Sequence, residues 1–322
     1  YKVLRGRNVK LAVIFGPSHH TAFGGALLTE SDAWETPMGR LEVAQDICDK
    51  LLEAEPDIFK RDDALQAVEH SVEVQLPFLQ AVAPDCRIVP ICIHDFAPEN
   101  CKRIGKAVAQ AVRGMEGVVL IASTDMAHYP RRELCREIDQ ETIRRLSKLD
   151  PSLLYAWELK ATREYADRQV HCTLCGLGPV VAMMTAAKQL GATKFVKLYY
   201  TNSGEVEPLT ASRAVGYVAA ALVAPGEAVG ETGAKGEVKK VTAHAPAGSA
   251  DNLTDDQKRQ LLKLARRAIE EWVVNGRRIE PPKGDPAFEE PRAVFVTLRI
   301  GGRLRGCIGT LEPVAPLARA VI

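Results

Sequence analysis

The stretch LAVIFGPSHH, residues 11–20, decides the class of fold. Its first five residues, Leu11–Phe15, are apolar without alternation, and a Gly-Pro pair follows them. This pattern predicts a strand covered on both faces, as in a parallel sheet flanked by helices. Such sheets bind ligands at the carboxyl ends of their strands. We therefore expect Ser18, His19 and His20 at a functional edge, although an exposed loop or a simple turn would show the same pattern.

Similar apolar runs recur along the chain, and helical patterns separate them. The runs are Leu11–Phe15, Arg87–Ile93, Val118–Ser123, Lys194–Tyr200 and Ala214–Val223. The helical patterns are Leu41–Ala54, Ser71–Val82, Glu99–Val112, Glu133–Leu146 and Leu177–Leu190. This alternation of strands and helices predicts an α/β fold with a layered, largely parallel or mixed sheet.

The composition excludes two classes of partner. The 42 Lys and Arg residues nearly balance the 41 Asp and Glu residues, so no strong positive field would attract nucleic acid or an anionic membrane surface. The eight cysteines are scattered along the chain, which favours reduced thiols. With no signal-peptide pattern and no apolar run long enough to span a bilayer, we expect a cytoplasmic protein.

The composition changes between Pro225 and Asn252, where glycine and alanine are frequent and aromatic residues are absent. This segment predicts a flexible linker at residues 225–252. We therefore expect one domain at residues 1–224 and the start of a second at residues 253–322.

The second domain opens with a helix signal, since Thr254 can cap a helix together with Gln257. The segments AVFVTLRI and RLRGCIGTL then predict two strands joined by a glycine turn. In the second strand Arg305 and Cys307 are expected to share a face, which either packs tightly or forms a recognition surface. A domain of this length buries too little surface to be complete, so we expect the carboxyl end to be truncated. The first ten residues, YKVLRGRNVK, resemble the tail of a helix, so we expect the amino end to be truncated as well.

Three further clusters of polar residues fall at the expected loops or helix starts. In the first, Glu69, His70 and Glu73 begin a helical pattern, in which the two carboxylates, four residues apart, could converge on a ligand. Acidic residues beside the positive end of a helix are an equal alternative.

The second cluster, STDMAHY, follows the apolar run VVLIAS. Asp125 and His128 in it could form an acid/base pair or contribute to a metal site, although Asp is also a common turn residue.

The third cluster contains Cys172 and Cys175 in a Cys-x-x-Cys spacing, which suggests a redox pair or two zinc ligands. Cys175 at a helix N-terminus is expected to have a lowered pKa, which suits a thiolate ligand or a nucleophile.

The segments GPSHH, EHSVEVQLPFL, STDMAHY and CGLGPV occur in the order and spacing of the Memo-like family, and this resemblance covers residues 1–223. The segment VFVTLRIGGRLRGCIGTLEP resembles the opening of the AMMECR-type domain. A fusion of the two resembles the AmmeMemoRadiSam system of bacteria and archaea, in which protein B (Memo-like) and protein A (AMMECR-type) accompany a radical-SAM protein.

The resemblance implies a fold like that of the class III extradiol dioxygenases, which use non-haem iron. It implies that His19 and Cys175 bind the metal and that Asp125, His128, Glu69 and His70 line the catalytic pocket. The family's other ligand histidine belongs to a Pro-His-Ala-Gly-Tyr-like segment upstream of the first residue here, so two of three expected protein ligands are present.

The resemblance therefore implies a metal-dependent redox or dioxygenase-like activity on a small substrate. The alternative is a non-enzymatic scaffold that binds a peptide or partner and works with a radical-SAM protein. A third hypothesis is a metal-free hydrolase that uses Cys175 with His128.

Overall fold

A computed structural model of the chain describes residues 1–36, 38–206, 210–226, 253–275, 277–282, 284–292, 294–300, 303–310 and 315–322. The chain divides into two units, Tyr1–Lys235 and Gly236–Ile322. The expected linker lies outside the described residues except for its first two positions, so its flexibility stays a prediction. Among the described residues no helix is both long and apolar enough to cross a membrane.

Nine strands and eight α-helices are described in the first unit. The strands are β1 Leu11–Pro17, β2 Ala26–Leu28, β3 Ala33–Thr36, β4 Gly39–Glu42, β5 Phe59–Arg61, β6 Arg87–Ile93, β7 Val118–Ala122, β8 Lys194–Asn202 and β9 Gly216–Val223. The helices are α1 Gln45–Ala54, α2 Asp63–Gln66, α3 Leu76–Gln80, α4 Pro98–Ala111, α5 Arg132–Leu146, α6 Pro151–Glu164, α7 Leu177–Gln189 and α8 Ser203–Val206.

The main sheet has five strands in the order β5-β2-β6-β1-β7. Strand β1 pairs in parallel with both β6 and β7, while β2 runs antiparallel to β6. The sheet is therefore mixed, which confirms the expected α/β fold. Every residue of β1 is buried, as its unbroken apolar run predicts.

The parallel register determines where the site can form. Phe15 in β1 lies beside Ile91 in β6 and Ala122 in β7. Because these three strands point the same way, the loops that follow them meet at one edge of the sheet. Helices α1, α4 and α7 share one hydrophobic core with the sheet. Each large side chain buried in such a core contributes about 1.5–3 kcal/mol.

Helices α4 and α7 approach each other closely. A Cβ at Gly105 in α4 would lie 2.3 Å from the Ala182 carbonyl oxygen in α7. Only a glycine permits this approach, which places α7 across β1 and β7.

Two predicted helices have different bounds in the structure. The expected helix at Ser71–Val82 is a 3-10 turn, Glu73–Gln75, followed by the short helix α3. Pro77 explains the break, because it has no amide proton and fits only the first turn of a helix. The pattern at Leu41–Ala54 becomes helical only at Gln45, since its first residues belong to β4.

The last two apolar runs of the first unit form strands that are not part of the five-stranded sheet. Strands β8 and β9 pair antiparallel with each other, from Lys194 opposite Val223 to Asn202 opposite Gly216. They form a two-stranded sheet of their own within the described residues. Strands β2 and β5, the β3–β4 hairpin and helix α6 were not predicted.

The second unit contains α9 Asp255–Asn275, α10 Pro286–Glu289, β10 Val294–Ile300, β11 Arg303–Thr310 and α11 Leu317–Ala320. The predicted cap of α9 is present, because the Gln257 amide donates to Thr254 Oγ1 at 3.2 Å and Gln257 Oε1 accepts from the Thr254 amide at 2.8 Å. Strands β10 and β11 pair antiparallel, with Val296 opposite Ile308. The expected roles of the Arg305 and Cys307 side chains lie outside what the structure describes.

Gly16 provides a test of the packing at the carboxyl end of β1. A Cβ there would lie 2.4 Å from Ser71 Oγ and 2.8 Å from Val72 Cγ2. We expect Gly16→Ala to lower the free energy of unfolding by about 1–3 kcal/mol, because it overpacks this contact. Gly24→Ala is the control, since a Cβ at Gly24 has nothing within 4 Å. Chemical denaturation of both variants makes the comparison, and equal stability would refute this account.

Candidate functional site

The first half of the site is a contact between His19 and Glu69. The His19 amide donates to Glu69 Oε2 at 2.5 Å, and His19 Nδ1 lies 3.0 Å from Glu69 Oε1. The Ser18 amide, one residue earlier, donates to the Ile93 carbonyl of β6 at 2.9 Å and so continues the sheet register. His19 is therefore fixed at the end of β1, with Nε2 as the ring nitrogen left for another partner.

The Glu69 carboxylate is buried and is held by backbone donors. Its Oε1 accepts from the amides of His70 at 2.7 Å and Ser71 at 2.8 Å. Burial alone would raise the pKa of Glu69, but the hydrogen bonds from His19, His70 and Ser71 outweigh it and lower the pKa to about 2. The Ser71 hydroxyl donates to the Pro17 carbonyl at 2.7 Å and ties this loop to β1.

His70 lies beside His19, and the two rings stack with centroids 5.0 Å apart. Burial lowers the pKa of His70, so its ring is mainly neutral at neutral pH. Glu73, in contrast, is exposed at the start of the 3-10 turn. The expectation that Glu69 and Glu73 share a helix face is wrong, because no helix includes both.

The second half of the site joins the loop after β7 to the start of α7. Cys175 Sγ accepts from the Asp125 amide at 3.1 Å, and the Cys175 amide donates to the Asp125 carbonyl at 3.2 Å. The Gly176 amide donates to Thr124 Oγ1 at 2.9 Å. A Cβ at Gly176 would lie 2.6 Å from the Ser123 carbonyl oxygen, so a glycine is needed here for the two loops to meet.

His128 projects into this second half from a strained loop. The next residue, Tyr129, has φ 75°, which is rare for a bulky side chain, and its amide is held by the Ala214 carbonyl at 2.8 Å. His128 Nε2 lies 3.4 Å from Asp125 Oδ2. Burial would lower the pKa of His128, but its contacts with Asp125, Cys172 and Cys175 outweigh it and raise the pKa.

The two halves meet at Cys175. His19 contacts this thiol and Glu69, and both contacts raise the pKa of His19 to about 10 despite its partial burial. Burial would raise the pKa of Cys175, but its contacts with His128 and His19 lower it to about 7. Cys175 is thus substantially a thiolate at neutral pH, flanked by two imidazoles.

The residues present are suitable for a metal ion. The ligand atoms of His19, Glu69 and His70 lie within 4.8 Å of one another, as do those of Asp125, His128 and Cys175. His128 Nε2 is buried and makes no well-directed hydrogen bond in the described part of the chain. An unsatisfied buried nitrogen beside a thiol and a carboxylate matches the N, S and O donors that zinc and iron accept.

Two carboxylates that sequence reasoning missed, the buried Asp139 and the partly buried Glu158, hold these loops in place. Asp139 in α5 accepts from the Ala127 amide at 2.9 Å and from the Tyr200 hydroxyl at 2.8 Å. Glu158 in α6 accepts from the Thr173 amide at 2.8 Å. Burial raises the pKa of both groups, that of Asp139 to about 6.

The structure thus brings the six residues singled out in the sequence, His19, Glu69, His70, Asp125, His128 and Cys175, to one edge of the sheet. Their assignment as metal ligands or catalytic groups stays a prediction. A signal for Asp139 was present in the sequence, since it shares the buried helix face of Ile138 and Thr142. A carboxylate among such residues requires hydrogen-bond donors.

We expect Cys175 in the chelator-treated protein to react with iodoacetamide with a half-maximal rate near pH 7, because the thiolate is the reactive form. Replacing His19 or His128 by Gln removes a cation and should move that midpoint upward. Peptide mass spectrometry over a pH series measures the rate, and Cys92 is the control, since burial raises its pKa to about 12. A midpoint for Cys175 near its ordinary value of 9.0 would contradict the described contacts.

Asp139 predicts a pH dependence of stability. Its pKa is about 6 in the folded chain against 3.8 ordinarily, so the unfolded chain releases this proton first as the pH rises. The protonated group contributes its full stabilisation below the pKa of the unfolded chain, and this contribution is lost as the pH rises through the pKa of the folded chain. The free energy of unfolding of the wild type should therefore fall relative to Asp139→Asn across this window, as measured by urea denaturation. A difference that does not vary with pH would refute the assignment.

Comparison with known proteins identifies the same two families that the sequence motifs resemble. Residues 1–221 match the family model for Memo-like proteins, and residues 262–322 match the AMMECR1 model. A MEMO1 family protein of Methanosarcina barkeri is 38% identical over 209 residues, which cover 64% of this chain and 74% of that protein. A MEMO1 family protein of Methanopyrus kandleri is 34% identical over 223 residues, covering 68% and 75% of the two chains.

One solved structure similar to the chain is that of an uncharacterized protein from Escherichia coli K12. It has a TM-score of 0.42 and 15% sequence identity, and the match covers 64% of this chain and 85% of that one. The Memo-like model spans more than half of the 322 residues, and the relatives are matched over most of their length. The chain therefore belongs to the Memo-like family.

Proposed function

We propose that the protein is a metal-dependent oxidoreductase with a dioxygenase-like activity on a small substrate, and that non-haem iron is its metal. The observation that carries the proposal is the meeting of His19 and Cys175 at the carboxyl edge of the sheet, beside the unsatisfied nitrogen of His128. Iron held by His19 and Cys175 would supply redox chemistry and Lewis acidity at this edge.

The surrounding side chains would position the ligands and move protons. Glu69 fixes the His19 ring through Nδ1 and leaves Nε2 to face Cys175 or an ion. A hydrogen bond from a ligand histidine to a carboxylate fixes the tautomer and the orientation of the ring. Asp125 and His128, 3.4 Å apart, form a pair that can hold a proton next to the thiol. The His70 ring, stacked on His19 and beside Glu69, would serve as a weak proton acceptor.

A metal-free hydrolase is a second candidate, favoured by the lowered pKa of Cys175 next to His128. A thiolate of this kind can attack a carbonyl carbon, with His128 giving a proton to the leaving group. The two proposals differ in whether activity requires a metal ion, since a hydrolase would keep its activity after a chelator removes the metal.

The radical-SAM protein of the same system is the proposed partner, on the basis of the family resemblance together with the AMMECR1 match at residues 262–322. If the chain is instead a scaffold without an activity of its own, its cleft would bind a peptide or partner without taking up iron. A cytoplasmic location is part of the proposal and is supported by the free thiols of the seven described cysteines.

Loading of the full chain with ferrous iron under anaerobic conditions tests the proposed centre. We expect stoichiometric iron by elemental analysis in the wild type and at least about a tenfold weaker affinity in His19→Ala and Cys175→Ala, since even loss of an outer partner costs about 10–100-fold. His20→Ala is the control, because His20 is next to His19 but belongs to neither group of ligand atoms. Exposure of the loaded protein to oxygen, followed by an oxygen electrode, then tests for redox activity.

The proposal fails if the wild type takes up no iron, or if the two variants bind it as well as His20→Ala does. Iron uptake without any oxygen consumption in the presence of candidate small substrates would favour the scaffold.

A further inference from the structure

A group of aromatic rings that the proposed centre does not use lies at the carboxyl edge of the sheet. Phe23 belongs to the loop after β1, while His94 and Phe96 follow β6. The ring centroids of Phe23 and His94 are 5.9 Å apart, and those of His94 and Phe96 are 6.0 Å apart. The interplanar angles are 51° and 55°. Contacting aromatic rings have such separations and tilts, so the three rings form one continuous group, which we call the aromatic wall.

The aromatic wall contacts both sides of the candidate site. His94 Nδ1 lies 3.5 Å from the carbonyl oxygen of the residue before His19. Phe96 lies against Gly178, three residues after Cys175, where a Cβ would be 2.9 Å from Phe96 Cδ1. The aromatic wall therefore borders the position at which His19 meets Cys175.

Hydrogen bonds fix the loop that carries His94 and Phe96. Asp95, the residue between them, accepts from the Ala97 amide through Oδ1 at 2.8 Å. Its Oδ2 accepts from the Gly25 amide at 3.4 Å, which joins this loop to the start of β2. Both rings are thus held in place before a ligand binds, and this lowers the entropy cost of binding.

The rings are fixed but not covered. Phe96 is 38% exposed, and Phe23 and His94 are partly exposed. Open space adjoins Phe23, since a Cβ at Gly24 would have nothing within 4 Å among the described residues. Aromatic side chains that a fixed loop leaves exposed, at the edge where such sheets bind ligands, indicate a contact surface for a ligand.

We propose that the aromatic wall selects the substrate of the candidate site, and that this substrate carries an aromatic ring. The inference rests on the proposed function, because it names the substrate class of that site. A further aromatic ring can pack edge-to-face or offset against Phe23 or Phe96, an arrangement that a saturated ring of the same size does not provide. Such packing strengthens binding about two- to tenfold beyond the effect of the buried area.

Binding of phenol and of cyclohexanol to the full chain, after a chelator has removed bound metal, tests the substrate class. Both probes have a six-membered ring and one hydroxyl, and only phenol is aromatic. We expect ligand-observed NMR titrations to show that phenol binds about threefold or more tightly than cyclohexanol. Phe23→Leu and Phe96→Leu should remove most of this preference, because leucine keeps an apolar contact but has no ring.

Phe78→Leu is the matched control. Phe78 in α3 is a 58% exposed phenylalanine that also stacks on another ring, that of Tyr1, but it is not part of the aromatic wall. This variant should keep the wild-type preference for phenol. Equal affinities of the wild type for the two probes overturn the inference. A loss in Phe23→Leu and Phe96→Leu that is no larger than in Phe78→Leu also overturns it.

Alkylation of Cys175 by iodoacetamide tests whether the aromatic wall belongs to the candidate site. At a phenol concentration that fills about half of the chains, the rate should fall about twofold, because the occupied chains are protected. An unchanged rate would put the phenol away from Cys175 and overturn the inference.

Neither measurement needs a metal ion, so a negative result in either leaves the proposed iron centre standing. A chain that takes up no iron but shows both effects of phenol would refute the oxidoreductase proposal and support the aromatic class of ligand.

Discussion

The interior position of β1, paired in parallel between β6 and β7, is the constraint on which the candidate site depends. It is fixed by an apolar run that can be satisfied only by burial on both faces. Parallel pairing then brings the ends of three strands to the same edge. The loops that follow β1 and β7 carry His19 and Asp125, and α7, which packs across these strands, brings Cys175 to them. A site built from residues more than 150 positions apart in sequence, as His19 and Cys175 are, thus follows from one strand register.

The electrostatics of the site form a sequence of alternating charges. The Glu69 carboxylate is followed by His19, the Cys175 thiolate and His128, and each neighbour favours the charged form of the next. In a half-buried cleft these interactions outweigh the desolvation that opposes each charge alone. Protons on the two imidazoles supply the positive charge. A metal ion would supply it in their place, which explains how the same arrangement can suit both a metal centre and a thiolate nucleophile.

The sequence predicted the parts of the fold that depend on local pattern. The bounds of β6 match its apolar run, and α7 begins at Leu177, where the predicted helical pattern begins. It did not predict β2 and β5, because three-residue strands are too short to show a period. The pairing of β8 with β9 was also not predictable, since an apolar run does not specify its partner. His19, Asp125 and His128 were found because they follow the strands β1 and β7. Glu69, His70 and Cys175 were found because they lie at the starts of predicted helices.

Asp139 and Glu158 could not be found in that way, because they lie in helices behind the loops and their roles depend on tertiary contacts. Gly216 shows how close these contacts are, since a Cβ there would lie 1.8 Å from Asp139 Oδ2. A buried carboxylate that meets only amides, hydroxyls and thiols stabilises the fold less than an apolar residue of the same size would. Its contribution is a directed hydrogen bond. Asp139 accepts this bond from the amide of Ala127, between Asp125 and His128, and so fixes the backbone that carries both side chains. The raised pKa of Asp139 is the consequence of that placement, and it shows that the chain retains a destabilising group where the geometry of a loop depends on it.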